Sequence, residues 1–130
     1  MSDLLWKLGA METAELISKK DVSTREVIKN HLERLTEVNP KINAITRSLN
    51  DEAMEMAILA DEKISRKEQV GPLHGVPVTI KDNVDITGQS SPNGVSKLKD
   101  NLAPANSPVV DNLLKAGAIP IGRTNTPEFS

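Results

Sequence analysis

The sequence predicts an α/β fold in which amino-terminal helices pack on a mixed or parallel sheet. Three observations carry this reading. Apolar residues recur at helical spacing, behind recognisable caps, through the first 65 residues. Two short apolar segments, 76–80 and 118–122, read as strands with a capped helix between them. From Gly71 onward Gly, Pro, Asn and Ser become frequent, and turns with brief apolar runs replace long helices. A boundary near 66–71 therefore separates a helical segment, 1–65, from the start of an α/β core, 71–130.

The elements follow in order. A turn around Asp3 to Leu8 places Trp6 against the core, and Gly9 separates it from a short helix marked by Met11, Ala14, Leu16 and Ile17. Ser23 and Glu26 form a capping box, after which Val27, Ile28, Leu32, Leu35 and Val38 define an amphipathic helix over 23–38 that Asn39-Pro40 ends. Residues 41–48 mix alternation with β-branched side chains and read as a strand. Asp51 caps a further helix over 51–65, with Ala53, Met56, Ala57, Ala60 and Ile64 on one face. Val76 to Ile80 suits a buried strand whose polar residues, Lys81-Asp82-Asn83, emerge at its carboxyl end. Residues 87–106 lack any period and form a long loop. Ser107-Pro108 opens a helix striped by Val109, Leu113 and Leu114 and closed by Gly117 in a left-handed cap. Ala118 to Gly122 then completes a candidate βαβ crossover, with Pro120 either arguing against this strand or moving it to an edge.

Composition excludes several function classes. Sixteen basic residues against eighteen acidic ones, in no long block, leave no electrostatic footprint for nucleic acid or an anionic membrane. The absence of Cys removes thiolate chemistry and zinc-cysteine sites. Met1-Ser-Asp-Leu-Leu lacks the pattern of a signal peptide, no apolar run approaches the roughly 18 residues of a membrane span, and cytoplasm is the expected compartment. One Trp, one Phe and no Tyr make stacking on bases or sugars an unpromising mode. No sequence feature asks for a metal or cofactor.

The chemistry-bearing candidates are few. A lysine directly after an apolar strand, Lys81, serves as a base only if burial or neighbouring donors make its neutral form accessible. On spacing alone the plainer reading, an ion pair with Asp82 or Asp85, is favoured. A Ser-His hydrolase would need His74 or His31 to meet Ser91, Ser96 or Ser107, none of which sits in a nucleophile-elbow context. His31, between Ile28 and Leu35, reads as a hydrogen-bonded structural histidine.

Two blocks decide between these. Gly71-Pro-Leu-His-Gly-Val-Pro-Val-Thr-Ile-Lys81-Asp-Asn and Ala116-Gly-Ala-Ile-Pro-Ile-Gly-Arg-Thr-Asn-Thr-Pro-Glu-Phe129 strongly resemble the amidase signature family of serine hydrolases. The likeness extends over essentially the whole chain, with its specificity in 71–83 and 107–129. It implies a partial amidase-signature fold, a single incomplete domain over 1–130, and amide hydrolysis through a Ser-cisSer-Lys triad whose lysine matches Lys81. By this resemblance both triad serines belong to a downstream glycine- and serine-rich region, so the chain is expected to be inactive alone. Ser90-Ser91, between the two blocks, are expected to be solvent-facing turn residues. Asn125 and Glu128 are expected to organise backbone near the active-site face, with a surface-turn role equally open. The run Thr124-Asn-Thr-Pro-Glu-Phe129 looks more like general bacterial amidases than the A-type component of a glutamyl-tRNA amidotransferase, which ranks second. The implied partner is a small carboxamide. Surface exposed by an incomplete sheet is expected to favour a homo-oligomer, or disorder near 87–106 and 123–130. The rival class is a non-catalytic binding or assembly module.

Overall fold

The computed structural model describes residues 2–130. After a 3-10 helix over Ser2–Lys7, the elements run α1 (Ala10–Ser18), α2 (Thr24–Ile42), β1 (Ile45–Ser48), α3 (Asn50–Ser65), β2 (Pro77–Lys81), a 3-10 turn (Ser96–Leu98), α4 (Pro108–Lys115) and β3 (Ile119–Thr124). The sheet has strand order β1-β3-β2, with β1 antiparallel and β2 parallel to β3. The expected α/β architecture with a mixed sheet is thus present.

Helices α2 and α3 cover β3. Ile28 and Leu32 of α2 meet Ala53, Ala57 and Ala60 of α3, and both helices close over Ile119 and Ile121 of β3. The small alanine face lets the helices approach closely, while the β-branched strand residues fill the space beneath. A second cluster joins Leu5, Ile17 and Val27. The α2 start is secured twice. Ser23 and Glu26 form the reciprocal capping box, and Asp61 from α3 accepts from the amides of Thr24 at 2.6 Å and Arg25 at 3.3 Å.

Several expectations need correction. Pro40 does not stop α2, which continues to Ile42. Its fixed φ is helical, it falls in the last turn, and the tail is held from outside: the Asn39 side chain pairs both ways with the Ile45 main chain, and left-handed Asn43 bonds back to the Asn39 carbonyl. The strand expected over 41–48 accordingly begins only at Ile45. Asp51 does not cap α3. The helix starts at Asn50 behind Leu49, whose amide is committed to Ile121 of β3 at 3.1 Å, and Asp51 lies in the first turn beside Glu52.

Met11 is exposed, and Thr13 and Ile17 form the buried face of α1. Leu5 rather than Trp6 enters the core. Trp6 lies half-buried under the Arg34 guanidinium, 4.3 Å from the ring centroid, where an amphipathic indole gains a cation contact. In α4 the buried residue is Val110, and Val109 is exposed, because 110, 113 and 114 share a helical face as well as 109, 113 and 114 do.

The βαβ unit is present, with its strands in altered places. β3, with Pro120, is the central strand, and β2 lies at an edge with Thr79 and Lys81 exposed. Pro120 is accommodated because β1 pairs only with residues 122–124 and the β2–β3 register shifts beside it, between Val78 and Thr79. The 87–106 segment is built by main-chain bonds rather than apolar pattern: Gly88 and Ala103, Gln89 and Ala103, and Ser91 and Asn101 are linked, with a bridge between Ser90 and Leu102.

Candidate functional site

The two chemistry-bearing blocks lie side by side from Leu73 to Asp82 and from Ala116 to Thr124. Leu73 donates to Ala116, Gly75 to Gly117, Ile119 to Val76 and Asp82 to Thr124, with the parallel β2–β3 ladder between. Glycine makes this contact possible. A Cβ at Gly71 would stand 2.8 Å from the Ala116 Cα and closer still to its carbonyl group. Gly117 adopts φ +92°, and Gly117 and Ala118 return their amides to Leu114 and Leu113 in a Schellman cap of α4.

This docking brings Lys81, the last residue of β2, to the carboxyl end of the parallel pair, where functional groups of α/β sheets collect. Its side chain is exposed, and Nζ donates to the main-chain carbonyl of Asn125 at 3.0 Å. That carbonyl is itself located, because the Asn125 amide bonds Ala44 at 2.9 Å. The expected pairing of Lys81 with Asp82 or Asp85 is not formed. Asp82 is buried and accepts from Thr46 Oγ1 at 2.7 Å.

Beneath Lys81 sits a residue that sequence reasoning missed. Arg123 of β3 is 1 % exposed, and its guanidinium spans two segments. Nη2 donates to the carbonyls of Lys81 at 3.0 Å and Val84 at 2.7 Å; Nη1 donates to Gln89 Oε1 at 3.1 Å and the Ser90 carbonyl at 3.4 Å. Burial presses its ionisation below the ordinary guanidinium value, with the Asp82 carboxylate opposing. In the sequence Arg123 stands directly after the apolar run 118–122, with nothing to mark its main-chain acceptors.

The remaining candidates separate from this centre. His74 is buried with Nε2 on the Ala60 carbonyl at 3.0 Å, and His31 keeps Nδ1 on the Val27 carbonyl at 2.9 Å. Both are engaged by helix carbonyls rather than by serine. Ser91, expected to face solvent, is buried, and Ser90 Oγ bonds the Lys99 carbonyl. Asn83 donates to Ser130 Oγ at 2.7 Å, which also shares a hydrogen bond with Thr126 Oγ1. Asn125 Oδ1 accepts from the amide of the next residue, Thr126, at 3.0 Å. Among the described residues no group of three or more His, Asp or Glu side chains is placed to hold a metal, and no helix is long and apolar enough to cross a membrane.

Fold and site together define a class: an α/β scaffold in which two glycine-docked blocks present a lysine at a strand end. The Amidase family pattern matches residues 26–130, and the chain belongs to that family. An indoleacetamide hydrolase of Bradyrhizobium diazoefficiens is 48% identical over 97% of this chain and 24% of its own length. The A-type component of a glutamyl-tRNA(Gln) amidotransferase from Thermoanaerobacter pseudethanolicus is 40% identical over 97% of this chain and 26% of its own. Among solved structures, a bacterial aryl acylamidase of the amidase signature family superposes with a TM-score of 0.89 at 31% identity, covering 94% of this chain and 26% of that one. The chain spans about a quarter of the length of the relatives it matches.

Proposed function

We propose that this chain is the lysine-bearing part of a serine amidase that hydrolyses small carboxamides, with Lys81 as the general base. The observation that carries the reading is the bond from Lys81 Nζ to the Asn125 carbonyl. That bond fixes Nζ at the carboxyl end of the parallel β2–β3 pair, on an exposed side chain that a substrate or a further segment of the enzyme can reach. In the scheme the family resemblance implies, Lys81 takes the proton of a bridging serine, and that serine takes the proton of a second serine as its oxygen attacks the amide carbonyl. The C–N bond then breaks, the leaving amine receives the proton, and water releases the acyl group.

Residues 1–130 form one portion of the catalytic domain on this reading, and the serines come from the three quarters of the relatives that the chain does not match. The chain alone is then inactive. The test grafts residues 1–130 in place of the matching quarter of the Bradyrhizobium diazoefficiens indoleacetamide hydrolase. Indole-3-acetamide and simple aliphatic amides are assayed by ammonia release. Turnover by the chimera and none by the chain alone supports the proposal; a folded chimera without turnover contradicts it. The amidotransferase relative supports a second reading, a part of such an A-type component, for which glutamine would replace indoleacetamide as the preferred amide.

A further inference from the structure

We propose that Arg123 is a positioning residue for Lys81, acting through the main chain on which Lys81 is mounted. The inference rests on the reading of Lys81 as the base. The peptide unit that follows Lys81 is held at both its polar atoms. The Lys81 carbonyl accepts from Arg123 Nη2, and the next amide, Asp82, bonds Thr124 at 2.9 Å. The same Nη2 holds the Val84 carbonyl, closing the turn in which the Val84 amide returns to Lys81 at 3.0 Å. The Asp82 carboxylate is fixed by Thr46 of β1, so the turn cannot swing away from β1 without breaking that bond. With carbonyl, following amide and Nζ all anchored, only the four-carbon stem of Lys81 stays free, and the Nζ position follows from the turn.

Arg123 divides its work between two atoms. Nη2 serves the Lys81 turn, and Nη1 serves the 89–90 loop. A lysine at 123, with three donors on one nitrogen, can occupy the place of Nη2 and keep both turn carbonyls while losing the loop. A residue that merely filled space or braced the loop would give the opposite pattern.

The experiment uses the chimera with Arg123→Met, Arg123→Lys and Gln89→Ala, alongside Lys81→Ala. R123M is expected to lower kcat by about tenfold or more with KM little changed, since a base displaced from its partner loses rate rather than substrate affinity. R123K is expected to recover most of that loss, and Q89A to leave kcat unchanged. Where R123M does not accumulate as folded protein, Arg123→Gln takes its place: kcat below that of R123K upholds the proposal. Equal kcat for parent, R123M and R123K, with K81A inactive, overturns the positioning role and leaves the amidase reading standing. Full activity in K81A instead defeats the reading of Lys81 as the base, on which the positioning role rests.

Discussion

Lys81 Nζ and the Asn125 carbonyl lie 3.0 Å apart across 44 positions of sequence, joining the end of β2 to the residue that follows β3. The contact exists because the strands are parallel neighbours in register, with Lys81 opposite Thr124. Placement of the candidate base therefore depends on the docking of the two blocks, which the first expectation below tests.

Gly71 and Gly88 separate steric from conformational cost. Gly71 has ordinary φ but no room, whereas Gly88 has φ +73° and open space, with nothing within 4 Å of where a Cβ would stand. Gly88→Ala should cost about 1 kcal/mol, the usual penalty of a left-handed site. Gly71→Ala should cost more, about 2–4 kcal/mol, since main-chain atoms must move. Urea denaturation of the two variants checks the order; equal midpoints would show that the blocks are not closely docked.

The core assignment is checked at Ile28 and Met11. Ile28 is 0% exposed, and Ile28→Ala should destabilise by about 2–5 kcal/mol through lost burial and the cavity left behind. Met11 is 86% exposed, and Met11→Ala should stay within about 0.5 kcal/mol. Comparable losses in chemical denaturation would refute the placement of α1.

The capping box carries a pH signature. The Glu26 carboxyl is held below its usual value by the Ser23 amide first and the Ser23 hydroxyl second. A depressed folded value means that its contribution is present above the unfolded value, about 4.3, and fades as pH falls through the lower folded one. Stability should decline on acidification through this window, and Glu26→Gln should flatten the decline. Ser23→Ala should cost about 1 kcal/mol at neutral pH. Thermal melts of the three proteins across the acidic range up to neutrality provide the comparison, and parallel curves for parent and E26Q would count against the cap.

Much of this was legible in the sequence because the signals are local. Ser23 with Glu26 and Gly117 after α4 mark helix ends through hydrogen bonds made within a few residues, and the alternation of short runs with a capped helix was enough to foresee the crossover. What escaped depends on distant partners. Pro40 is tolerated because Ile45 holds Asn39, and Pro120 because β1 stops short of it. Val110 displaces Val109 because two stripes were equally periodic, and only packing chooses between them. Arg123 was invisible as a site residue because its acceptors are main-chain carbonyls, which no residue pattern reveals. Lys81 was found through its block, and the structure added the acceptor that orients it.

The most direct measurement of the central claim is the rate of ammonia release from indole-3-acetamide by the chimera with Lys81 and with Lys81→Met. Lys81 is exposed and its side chain is bonded only at its tip, so the substitution should leave stability within about 0.5 kcal/mol. The expected result is a fall in kcat of about a hundredfold or more in a variant that melts like its parent, the range for removal of a general base. Retained turnover in that folded variant would contradict the assignment of Lys81 as the base.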